Sequence, residues 1–172
     1  YQISFIVRVD KLPSPDATEL LNNYLFIGEN STGSVGPTSG TTWFIQAFYG
    51  TDTGKSVTPR NPEHRLGRAR QRQWNLGVFD PNSDTVDYVP AHLPLKEGVA
   101  YSLSIMIDPE TSSYRAKIDG DGADYTSEAL PFRGGRPLGK SLVVGSRHSP
   151  GNAAIFSISD IRISGTSSSG QP

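Results

Sequence analysis

Ile155-Phe156-Ser157-Ile158-Ser159-Asp160-Ile161-Arg162-Ile163-Ser164-Gly165 is the stretch that decides the fold. Apolar residues alternate at Phe156 and Ile158, then resume one position out of phase at Ile161 and Ile163. Alternation of period two marks a strand with one buried face. The phase slip at Ser159-Asp160 predicts a bulge that turns the strand over. In this reading the closing strand is paired with Tyr114-Arg115-Ala116-Lys117-Ile118-Asp119-Gly120, about forty residues earlier.

The rest of the chain reads as short strands joined by turns. The 172 residues fit one domain, and their 18 Gly and 13 Pro break up any long helix. Ile3–Val9, Tyr24–Ile27, Trp43–Tyr49, Gln73–Phe79, Thr85–Val89, Val99–Asp108, Tyr114–Asp119, Leu142–Gly145 and Ala153–Ser164 are predicted strands. One short helical turn is predicted at Ser14–Leu20, where Ser and Pro precede acidic residues. Residues 28–40 and 50–72 read as connections. Trp43–Tyr49 is apolar on both faces and should be a central strand. Tyr101, Leu103, Ile105 and Ile107 share a face and pair across an Asp108–Ser112 turn with Tyr114, Ala116 and Ile118. Trp74, Leu76 and Val78 join the same layer. The opposite, solvated face then carries Gln73, Asn75, Ser102, Ser104, Arg115 and Lys117. The expected fold is all-β, an antiparallel two-sheet β-sandwich spanning residues 1–165.

Composition excludes some chemistry. There is no cysteine, hence no disulfide framework and no thiolate site. A net charge of −1 gives no whole-chain pull toward nucleic acid. No run approaches the roughly 20 apolar residues of a membrane-spanning helix, and no signal peptide is visible. The chain opens on a strand without an initiator Met, and residues 166–172 are a Ser/Gly-rich tail. Both features read as those of a module cut from a longer chain.

Tyr1–Val7, the hairpin Tyr101–Gly120 with its Asp-Gly ending, Leu142–Gly145 and Phe156–Gly165 resemble the strands of laminin-G-like domains of the concanavalin A-like lectin/glucanase superfamily. The resemblance implies a jelly roll in a secreted modular protein, with sugar binding, polysaccharide cleavage or adhesion among the activities such domains serve. Residues 50–98 carry no part of it. Fold alone does not choose among these activities.

The residues narrow the choice. Glycosidases of this superfamily set carboxylates two positions apart on one strand, so that two carboxyls lie about 5–5.5 Å apart. No Glu-x-Asp occurs; Asp16-x-x-Glu19 lies at the expected helix start. No Gly-x-Ser-x-Gly elbow occurs either. His64, His92 and His148 fall in predicted loops. His64 with the surrounding arginines could serve a lyase as base and carboxylate neutraliser. Asp119-Gly120-Asp121-Gly122-Ala123-Asp124 has the look of a calcium loop but lacks the twelve-residue ligand pattern, and Asp-Gly is a hairpin signal. Calcium is the one cofactor the resemblance leaves open.

The most unusual local feature is basic. Lys55, Arg60, Arg65, Arg68, Arg70 and Arg72, six of the 16 basic residues, fall within eighteen positions. Arg68, Arg70 and Arg72 alternate into the strand that holds Trp74 and Leu76. A regular strand would aim them into the core, which unpaired arginines do not tolerate. A turn near Arg72-Gln73 is therefore expected, releasing the arginines beside Gln73, Asn75, Arg115 and Lys117. Arg65, Arg68, Arg70, Arg72, Gln73, Asn75, Arg115 and Lys117 are the expected ligand residues, for an anionic oligo- or polysaccharide. The expected function is a noncatalytic carbohydrate-binding module; the alternatives are a lyase-type enzyme and a protein-binding adhesion module.

Overall fold

The computed structural model describes residues 1–14, 23–32, 35, 40–49, 72–79, 86–133, 141–148, 151 and 153–165. Among them there is no helix and there are eleven strands: β1 (Gln2–Lys11), β2 (Tyr24–Asn30), β3 (Thr41–Phe48), β4 (Gln73–Phe79), β5 (Val86–Pro94), β6 (Ala100–Asp108), β7 (Ser113–Gly120), β8 (Ala123–Thr126), β9 (Leu130–Pro131), β10 (Leu142–Arg147) and β11 (Ile155–Ser164). They form two antiparallel sheets packed as a β-sandwich. One runs β11-β1-β6-β7-β8, with β9 also on β7; the other runs β10-β2-β3-β4-β5. The helical turn expected at Ser14–Leu20 lies outside the described residues beyond Ser14, and so does the expected tail at 166–172.

Alternation places the core. Ile3, Phe5, Val7 and Val9 of β1, Tyr101 to Ile107 of β6, and Tyr114, Ala116 and Ile118 of β7 face Leu25, Ile27, Trp43, Ile45, Trp74, Leu76 and Val78 of the second sheet. Tyr114 ties the layers together: its hydroxyl donates to the Gly77 carbonyl at 2.6 Å and lies 3.1 Å from that of Phe44. The expected central strand is β3, buried along its whole length.

The bulge is found where the alternation slips. Ser4 pairs with Arg162 and Ile6 with Ser159, so Asp160 and Ile161 together oppose Phe5. Asp160 supplies the left-handed residue, at φ 54°, a conformation Asp adopts more readily than most side chains. The pairing of the closing strand is a correction. β11 pairs with β1 at the sheet edge, and β6 and β1 separate it from β7. Alternation within a segment does not choose its neighbour, whereas the cross-strand apolar row Ile163–Ile3–Ile105–Ala116 shows it. Residues 28–30, expected in a loop, complete β2. The Asp121-Gly122 pair makes a two-residue hairpin turn with both φ positive, 55° and 74°.

The second sheet is also buried on its other face. Tyr24, Phe26, Phe44, Phe48 and Phe79 form an aromatic layer there. Phe44 is at its centre, stacked on Phe26 (5.5 Å between ring centroids) and edge-on to Phe79 and Tyr88 (5.8 Å each). Glycine at 77 is what makes room: a Cβ there would lie 2.1 Å from the Phe44 ring.

Candidate functional site

The two sheets differ in what they show to solvent. The outer face of β11-β1-β6-β7-β8 is polar and exposed, as strand alternation requires once the inner face is apolar. Its cross-strand rows are Ser164–Gln2–Met106–Arg115, Arg162–Ser4–Ser104–Lys117–Thr126, and Ser159–Ile6–Ser102–Asp119–Asp124. Several charges on it are already satisfied. Lys117 pairs with Asp119 at 3.2 Å, and Arg8 with Asp10 at 3.2 Å. Among the described residues Arg115 and Arg162 form no ion pair. They stand three strands and one row apart, about 15 Å by strand spacing.

Arg115 borders a depression of about 480 Å³ at the β6–β7 hairpin, lined by Met106, Asp108, Thr111, Ser113 and Ala129. The hairpin is rigid for a local reason. Asp108 accepts from the backbone N–H groups of Glu110 (3.0 Å) and Thr111 (3.3 Å). Bonds from Thr111, side chain first and then backbone, hold the Asp108 carboxyl below its ordinary value. The Thr111 and Ser113 hydroxyls lie 2.8 Å apart. The depression thus offers one unpaired guanidinium, two hydroxyls, a carboxylate and an apolar floor from exposed Met106.

The expected ligand residues that are described do not all meet on one surface. Arg115 and Lys117 sit on β7, whereas Gln73 and Asn75 sit on β4 in the other sheet, facing the aromatic layer. Gln73 is half-buried and Asn75 is buried, so the solvated face expected around them is corrected. Polar residues alternate along β4 because its outer side holds an aromatic layer and a few amides. The turn expected at Arg72 is present, at φ 53°. It does not release Arg72 to solvent: the guanidinium donates to the Pro13 carbonyl at 2.5 Å and braces the end of β1 against the start of β4. Arg65, Arg68 and Arg70 lie outside the described residues, as does His64. His92, expected in a loop, falls within β5 at an irregularity opposite Trp74, exposed and at φ 56°. His148 is exposed beyond β10.

One carboxyl is markedly shielded. Burial pushes the Glu29 carboxyl up from its ordinary value. Glu29 accepts from Trp43 Nε1 at 2.7 Å and from the Tyr1 hydroxyl at 2.8 Å, both at Oε2. These bonds offset part of the burial and make Glu29 an acceptor within the sandwich. Among the described residues no three metal-ligating side chains come together. In the Asp-Gly turn, the Asp121 carboxylate is held by Lys96. No aromatic side chain of the described residues is strongly exposed, so sugar stacking on an aromatic face has no platform among them.

No protein-family model matches the chain, and no curated protein matches it as a relative.

Proposed function

We propose that the domain is a noncatalytic binding module for acidic polysaccharide, reading its ligand on the outer face of the six-stranded sheet. The observation that carries this is Arg115: an exposed guanidinium with no ion pair among the described residues, at the wall of a depression that also presents hydroxyls. A guanidinium fork matches a uronate carboxylate in plane and in charge. Thr111 and Ser113 would exchange hydrogen bonds with ring hydroxyls, and Met106 would lie against the apolar face of a sugar ring. The resemblance to laminin-G-like domains supports the same class of ligand and an extracellular setting.

Each exposed charge contact contributes only about 0–1 kcal/mol and is screened by salt. A single module should therefore bind weakly and with a clear salt dependence. The test is binding of oligogalacturonate to the wild type, Arg115→Ala and Lys117→Ala, with a neutral glucan as control. Arg115→Ala should weaken binding by up to about fivefold. Lys117→Ala should lose little, because Lys117 is already paired with Asp119. Equal affinity of wild type and Arg115→Ala at low ionic strength contradicts the proposal, as does release of unsaturated products by the pure domain.

A further inference from the structure

The exposed apolar surface of the described residues gathers at one edge of the sandwich. Of the six large apolar side chains that are strongly exposed, four lie there: Ile155 (53%), Ile161 (54%) and Ile163 (65%) on β11, and Val144 (39%) on β10. β11 and β10 are the last strands of their sheets on that side. At the opposite edge β5 and β8 touch and close the sandwich. At the β10–β11 edge the layers part around a cleft of about 290 Å³ lined by Leu25, Gly145, Ala154, Ile155, Phe156 and Ile158. Ile163 pairs with core residue Ile3, and Val144 with core residue Ile27. Cross-strand partners share a face, so both side chains point between the sheets and are left uncovered only by their edge position.

We propose that this edge is a two-fold interface with a second copy of the same chain, β11 against β11. A long, apolar edge strand is a template for pairing unless something blocks it. An antiparallel strand is its own partner, since a two-fold axis across it produces the required direction. Asp160 and Arg162 flank Ile161, so an axis at Ile161 sets each beside the opposite charge of the other copy. The bulge at Asp160 interrupts the straight edge, so backbone pairing is confined to short runs and the isoleucines carry the contact. An axis at Ile161 overlaps residues 158–164 of β11, about 23 Å of strand, and an edge two sheets deep is about 20 Å across. That gives roughly 460 Å² per copy, about 920 Å² in all, the size of a weak, reversible contact. Edge joining would also place both copies' Arg115 depressions on one continuous sheet face, although the dimer itself does not depend on the glycan reading.

Sedimentation velocity on the wild type, Ile161→Lys, Ile163→Lys, Arg162→Glu and Met106→Lys tests this, with circular dichroism to verify folding. Met106 is equally exposed but lies on the outer face, away from the edge. The expected result is a dimer for the wild type and Met106→Lys, and a monomer for both isoleucine variants. Arg162→Glu, which puts like charges across the axis, should weaken association at least tenfold. A wild type that stays monomeric up to about 100 μM overturns the proposal. So does a dimer that survives Ile161→Lys, one that Arg162→Glu leaves unchanged, or one that Met106→Lys abolishes.

Discussion

Two buried polar side chains in this sandwich make opposite demands. Gln46 sits at the middle of β3 with 1% exposure, its side chain between Phe26 and Asn75 on neighbouring strands. Among the described residues neither of its amide atoms has a hydrogen-bond partner. An unsatisfied buried group destabilises, and an apolar residue of the same shape removes that penalty. Gln46→Met should therefore raise stability by about 1–2 kcal/mol, read from the denaturant midpoint. A lowered midpoint would show that the amide has a partner such as an ordered water. Glu29 is satisfied but charged. Its folded pKa is raised above its ordinary 4.5, so the folded state binds its proton more tightly than the unfolded state. The stability it contributes is full below 4.5 and is lost as pH rises through the raised value. Glu29→Gln keeps an acceptor for Trp43 and Tyr1 without a charge to bury. Its stability should fall less than the wild type's as pH rises above 4.5. Parallel curves for the two proteins would remove Glu29 from the pH response. Asp108 acts in the other direction and in a separate window, its contribution lost below its ordinary 3.8.

At the scale of the element, β4 and β11 mark where sequence reasoning stops. Alternation in the closing strand located both the strand and its bulge, because a phase slip of one residue is itself the pattern a bulge leaves. It could not tell that Ile161 and Ile163 are left exposed, since coverage depends on the strand's place in the sheet. In β4 alternation assigned the faces of Trp74 and Leu76 correctly and misjudged the other side. Gln73 and Asn75 face an aromatic layer that only the neighbouring strands reveal. A signal for that layer was present: Trp43–Tyr49 is apolar on both faces, and a strand covered twice implies that its neighbours share the second cover. Gly77 is the sharpest trace of the layer, chosen to clear the Phe44 ring. Phe44 has no room to yield, packed as it is among Phe26, Phe79 and Tyr88. Gly77→Ala should therefore destabilise by about 1–3 kcal/mol. The loss should shrink in a Phe44→Leu background, a coupling that a double-mutant cycle measures directly. Additive effects would mean that the ring is not what excludes the methyl group.

At the scale of the whole molecule, the sandwich separates three surfaces by strand order alone. The outer face of the six-stranded sheet is solvated and carries Arg115. The outer face of the five-stranded sheet is buried and aromatic. The β10–β11 edge is apolar and open. Gln73, Asn75 and the β7 residues Arg115 and Lys117 were read from the sequence as parts of one site, and the sheet topology divides them, because β4 and β7 belong to different layers. The central claim is that ligand is read on the β6–β7 side. Amide chemical shifts followed during titration with an oligogalacturonate test it most directly. The account predicts that shifts concentrate at Met106, Thr111, Ser113 and Arg115, with Gln73 and Asn75 unmoved. Shifts confined to Gln73, Asn75 and their neighbours on β3 and β4, with Arg115 unmoved, would contradict it.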